Sequence, residues 1–348
     1  MKTERKSSTL SSLLVPYLSV VVLSLPAGAA TPSLAEPDDL TFDEASVTAS
    51  APPRVIKEQM LERRKSLRAA APAAAAKAAK PKVVDCAKGD SLQKAIDNSA
   101  DGDTIEVRGL CNENVKIVRR KLTLHGLDPL TDGVRGVAST STVYAALEIW
   151  YSELIHIENL SFTHTGAGAG GLGLWYSTVE AVNCRMTGNA QMGAHVSASS
   201  YLDASGLILS DNGGHGLNVQ RNSFSICLGC RLENNALRAA AANRASFFSL
   251  WDSVITGARG LLVTNDSYGD LDCITGGSGL PCSLNVTQIA ATGLSNGTAG
   301  LYGAGPFAGQ VTAFDRGQVS LYGAQQTSTG VTPSGNPRVN SLDYFSTL

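Results

Sequence analysis

The sequence predicts an all-β solenoid of parallel strands, and three observations carry that expectation. Glycine, or arginine once, recurs at Gly171, Gly193, Gly216, Arg238 and Gly260, in steps of 22, 23, 22 and 22 residues. A short strand-like run follows each: Leu172-Gly173-Leu174, Ala194-His195-Val196, Leu217-Asn218-Val219, Ala239-Ala240-Ala241 and Leu261-Leu262-Val263. A second ladder keeps the period, with serines at Ser152, Ser177, Ser200, Ser223, Ser246 and Ser267. Units of about 20 to 25 residues repeated in this way bury their apolar faces only by stacking on one another.

Residues 1–35 read as an export signal. Lys2, Arg5 and Lys6 precede an apolar core at residues 13–25, and small residues follow. That core is too short for a membrane span and contains Pro16. Cleavage is therefore expected, with no transmembrane span in the mature chain and a periplasmic or secreted product. Residues 36–82, rich in Ala, Pro and Lys, are expected as a linker.

Order is expected from Val83. Asp90 offers an N-cap with Gln93 three residues on, and Leu92, Ala95 and Ile96 supply one apolar face of a short helix. A turn at Ala100-Asp101-Gly102-Asp103 leads into alternating strands at 104–107, 115–117 and 122–124. Residues 83–126 thus form an N-terminal cap and the first strands, 127–323 the coils, and 324–348 a loose C-terminal tail. Within the coils a turn column reads Asn159, Asn183, Gly206, Gly229, Asp252 and Asp272, residue types that suit left-handed backbone. Phe162, Met186, Leu209, Leu232 and Ile255 form a core face. Each repeat is expected to supply three short strands separated by turns, with like residues about 4.8 Å apart on neighbouring rungs. The serine hydroxyls are expected to bridge those rungs.

The run Ser91-Leu92-Gln93-Lys94-Ala95-Ile96, then Asp101-Gly102-Asp103-Thr104-Ile105, Asn112-Glu113-Asn114-Val115 and Leu122-Thr123-Leu124-His125-Gly126, resembles the opening of right-handed parallel β-helix proteins, the pectate-lyase-like superfamily. With the repeats, the resemblance covers about residues 83–323. It implies a right-handed, single-stranded parallel β-helix of about 22 residues per rung, with the short helix capping its first coil. The superfamily includes polysaccharide lyases and epimerases, yet it shares a backbone shape and not one catalytic motif.

Charge narrows the partners. The formal net charge is -2, and beyond Lys121 there is no lysine, only nine arginines against fifteen Asp plus Glu. Nucleic acid or an anionic membrane would need a basic footprint, so neither is expected. The seven cysteines all lie beyond the signal and fit an oxidising compartment. Cys86 with Cys111, which flank the cap, and Cys273 with Cys282, which enclose a Gly-rich loop, are expected to bridge. Cys184, Cys230 and Cys273 are read as one column, two rungs apart each time, about 9 to 10 Å and so beyond bonding reach. Cys227-Leu228-Gly229-Cys230 spans a turn between strands and is expected as a tight disulfide or two buried thiols, not a redox dithiol.

Two outward strips could carry function. Trp175, Tyr176, His195, Asn218, Gln220, Arg221 and Arg244 combine aromatic faces with polar forks that suit sugar rings, and Arg221 and Arg244, one rung apart, suit a uronate carboxylate. His156, Glu180 and Asp203 align in a column pointing outward, and are the catalytic candidates. Glu180 and Asp203, on adjacent rungs about 5 Å apart, could transfer a proton or hold a cation; calcium is the ion considered, no other cofactor being expected. The solvated polar face is the competing account of that column. Calcium-dependent pectate lyases resemble this fold, but the first strand shows no acidic cluster and the coils no lysine. A non-catalytic exported protein binding a polysaccharide or other cell-surface partner is therefore preferred. The alternative is a lyase or epimerase acting on uronate-containing polymers.

Overall fold

The computed structural model describes residues 80–137, 144–167, 169–273, 280–314, 316–326 and 338–341, all within the unit Ala49–Leu348. The expected export signal and nearly all of the linker lie outside the described residues. No helix among the described residues is long and apolar enough to cross a membrane.

The chain coils through three faces in each turn. In one turn these are Gly170–Trp175 on face one, Thr178–Val182 on face two and Arg185–Thr187 on face three. All described pairings are parallel and join strands one turn apart, Leu172 to Ala194 to Leu217 on face one and Thr178 to Tyr201 to Phe224 on face two. Among the described residues face two stacks twelve strands. Alternation turns every second side chain inward, and these inward columns make the core. Phe162, Met186, Leu209, Leu232 and Ile255 are all fully buried on face three, as are Leu174, Val196 and Val219 on face one. Each such Leu, Ile, Val or Phe contributes about 1.5 to 3 kcal/mol.

Polar ladders hold the turns. From Ser177 to Ser267 each serine hydroxyl accepts the backbone N–H of the serine one rung before it, from Ser152 N–H to Ser177 (3.1 Å) through Ser246 N–H to Ser267 (3.0 Å), and all six serines are buried. A buried asparagine ladder, invisible to the sequence reading, runs alongside: Asn189 Nδ2 donates to Asn212 Oδ1 and Asn212 Nδ2 to Asn235 Oδ1, both at 2.8 Å. In the turn column Asn159, Asn183, Gly206, Gly229 and Asp252 all have φ between 43° and 64°, left-handed backbone that Gly and Asn adopt at least cost.

Four expectations need correction. Ala240, not Ala239, pairs with Leu217, so Ala239 rather than Arg238 takes the glycine column. That column is too tight for a long side chain: a Cβ on Gly193 would lie 2.7 Å from the Gly216 carbonyl oxygen. Likewise Asp272 pairs with Trp251, because the strand Phe247–Trp251 matches Tyr268–Asp272 without a break. Cys273 then takes the turn position and leaves the column of Cys184 and Cys230. Third, the helix α1 (Leu92–Asp97) is capped by Ser91, whose hydroxyl accepts the Lys94 N–H, and not by Asp90. Glu113 completes that cap, accepting the Leu92 N–H at 2.6 Å and the Ser91 hydroxyl at 2.8 Å. Fourth, three strands per turn hold only as far as Asn243. Val254–Thr264 and Ser283–Leu294 each run through faces three and one as single strands, with a register shift between Gly257 and Arg259 where the chain bends. Beyond them Arg338–Ser341 pairs with Gln318–Gln326, so the segment expected as a loose tail also supplies a strand.

Disulfides link Cys86 with Cys111, Cys273 with Cys282, and Cys227 with Cys230, while Cys184 stays free and buried. Burial pushes the Cys184 thiol up to about 12, which keeps it protonated and inert.

Candidate functional site

The turn leading from face one to face two carries an exposed ridge. Backbone bonds align its members rung by rung: Arg119, Tyr151, Tyr176, Ser199, Asn222 and Ala245, with Arg221 and Arg244 beside the last two. Tyr151 and Tyr176 have φ of 49° and 51°, a left-handed backbone that bulky side chains rarely adopt. Their rings stack with centroids 4.9 Å apart and planes within 2°, about the rung spacing itself. Both tyrosines are half exposed, and the Arg119 guanidinium lies 5.6 Å from the Tyr151 ring centre. At this end of the ridge an open cleft of about 390 Å³ is lined by Arg119, Arg120, Lys121, Tyr151 and Tyr176, with Asp101 and Glu153. Arg221 and Arg244, both exposed with φ of 58°, continue the ridge two and three rungs beyond Tyr176.

Of the residues expected to bind sugar, the structure brings Tyr176, Arg221 and Arg244 together on this ridge. Trp175 does not join them: at 7% exposure it stacks on Trp150 at 4.3 Å, folded over Gly173. Only glycine makes that room, since a Cβ there would lie 2.5 Å from the indole. Lys116 sits 4.9 Å from the centre of the Trp150 ring, and the Trp150 indole N–H donates to Glu148 at 3.0 Å. His195, Asn218 and Gln220 form a separate network on face one, with the ring nitrogens of His195 each 3.1 Å from an amide nitrogen. Burial, then Arg221 and His215, hold His195 down to about 4. A neutral imidazole has one acceptor, so one of the two amides turns its oxygen to the ring.

The catalytic candidates align as read: Glu180 pairs with His156 on one side and with Asp203 on the other. His156 Nδ1 lies 3.0 Å from Glu180 Oε2, and His156 Nε2 lies 3.8 Å from Glu158, which His125 approaches to 3.3 Å. The Glu180 carboxylate, helped by Glu158, raises the His156 pKa despite partial burial. Asp203 is different. At 2% exposure it is buried, paired on the next rung with Ile226 of an apolar outer cluster, and is no part of a solvated face. Among the described residues no group of three or more His, Cys, Asp or Glu is arranged to hold a metal ion.

The sequence reading missed Arg119, Arg120, Lys121 and Tyr151. The cleft joins residues 101 to 176, and only the turn spacing of Tyr151 and Tyr176, 25 residues apart, could have pointed to it.

The model of the right handed beta helix region matches residues 136–272. That stretch is a right-handed parallel β-helix. Solved structures similar to the chain include a pectin methylesterase crystallised with a hexasaccharide, at 11% identity over 76% of this chain and 94% of that one, TM-score 0.41. An alginate lyase from a Paenibacillus species matches at 13% identity over 74% and 97%, TM-score 0.31. Pectin methylesterase PemA from Erwinia chrysanthemi matches at 11% identity over 72% and 81%, TM-score 0.29. At such scores these likenesses decide nothing about the chemistry of this β-helix. No curated protein matches it.

Proposed function

We propose that this β-helix is an exported, non-catalytic protein that binds an acidic polysaccharide along the ridge from Arg119 to Arg244. The observation that carries this is the Tyr151–Tyr176 stack, held in left-handed backbone with Arg119 against its outer ring. Aromatic faces stack on sugar rings, and guanidinium forks pair with carboxylates. Export is supported by the three disulfides, which persist in oxidising compartments. Titration calorimetry with uronate oligomers tests the site. Tyr176→Ala is expected to weaken binding about tenfold, the weight of one lost aromatic contact; equal affinity in wild type and variant would reject the ridge.

A second reading, a polysaccharide lyase or epimerase, is favoured by one observation: the His156–Glu180 pair stands on face two just beyond the two tyrosines. Incubation with a panel of uronate polymers, with and without calcium, followed by the absorbance of unsaturated products, decides between them. Turnover that disappears in His156→Ala or Arg221→Ala supports the enzyme, and absence of turnover across the panel supports binding alone.

A further inference from the structure

A histidine and two arginines line up along the border of face one, and among the described residues none of them pairs with a carboxylate. His215, Arg238 and Arg259 occupy equivalent positions on three successive rungs, as the N–H donors of Gly193, Gly216 and Ala239 to their carbonyls show, each at 3.0 Å. Rungs lie about 4.8 Å apart, so two guanidinium groups and an imidazole crowd within two steps. One guanidinium nitrogen of Arg238 (Nη1) is buried with no hydrogen-bond partner, and so is Nδ1 of His215. The Arg259 Nε donates to the Gln288 side-chain oxygen at 3.3 Å, and among the described residues none of the three forms an ion pair.

Like charge accumulates where compensation is expected. Burial and Arg238 push His215 down to about 4, and burial and Arg259 push Arg238 down to about 10. A half-buried guanidinium left without an acceptor is costly, and an anion in front of it would remove that cost. Arginine's planar fork fits the paired oxygens of a carboxylate, sulfate or phosphate group. We infer that His215, Arg238 and Arg259 form an oxyanion-binding site, taking either a free inorganic oxyanion or the acidic group of a glycan. The site lies across face one from the tyrosine ridge and stands whether or not that ridge binds.

The test is a titration of the full chain with sodium sulfate and, separately, with a short uronate oligomer, ionic strength being held constant with chloride. Thermal midpoint and the His215 imidazole resonances are followed together. A saturable rise in midpoint, with His215 titrating at higher pH in the loaded protein, is expected from one probe or both. Saturation by sulfate identifies the free ion as sufficient, whereas saturation by the oligomer alone identifies a glycan-borne group. Arg238→Gln is expected to weaken the response at least tenfold, and Arg259→Gln, at an exposed position, to weaken it in a variant whose packing is untouched. The site is overturned if neither probe saturates, or if the response persists in both arginine variants. An oligomer response that survives Arg259→Gln but vanishes in Tyr176→Ala belongs to the ridge and also counts against the row.

Discussion

Ser200 accepts the Ser177 N–H at 3.1 Å and donates to the Ser197 carbonyl at 2.6 Å, all in the dry turn. Ser200→Ala strands a buried donor and is expected to cost about 1 to 3 kcal/mol, seen as a lower melting midpoint; an unchanged midpoint would mean that water replaces the hydroxyl. His156 makes a pH-dependent contribution. Its pKa is raised in the folded chain, so the stability it adds is fully present below the ordinary histidine value and is lost as pH rises through the folded value. His156→Gln is therefore expected to lower the melting midpoint more at pH 5.5 than at pH 9, and calorimetry at both settles it. At this scale the serines were legible because a hydroxyl recurring at a fixed period in an otherwise apolar setting has a structural use. Asp203 was not. Alternation told which way it points, whereas its burial is set by neighbours that stack on it from other rungs, such as Ile226.

The cap and its disulfide are a unit. Helix α1 buries Leu92, Ala95 and Ile96 over the first coil, and the Gln93 amide bonds the exposed backbone of Lys116 in both directions, at 2.6 and 3.0 Å, blunting the sheet edge. Cys86 and Cys111, 25 residues apart, tie the strand ahead of the cap to face three. The double variant Cys86→Ser, Cys111→Ser is expected to lose about 3 kcal/mol, as closing a loop of that length predicts. Peptide mapping with and without reductant checks the pairing itself. The apolar face of α1 was legible from three residues at helical spacing. Its cap was legible only in part: Ser91 lies beside the residue read as the cap, while Glu113 reaches in from the next coil and no local pattern encodes that approach.

For the whole molecule, a period of 22 to 23 residues sufficed to establish the stacked architecture, since each rung can bury its inward residues only against its neighbours. Single-residue register errors arose at Ala239 and Asp272, where glycine and turn residues stop marking the step. Beyond Val254 the strands of faces three and one merge, so only the turn after face one, at Asn265, Asp266, Ser295 and Asn296, still marks the step. The same stacking makes the ridge a ruler. Arg119 and Arg244 are five rung steps apart, about 24 Å. The most direct measurement is the affinity of uronate oligomers of increasing length for the full chain. Affinity is expected to climb with each added sugar until the oligomer spans that distance and then to level off, with the climb flattened in Tyr151→Ala, Tyr176→Ala. A length dependence that is flat from the shortest oligomer, or identical in the double variant, would contradict a binding ridge.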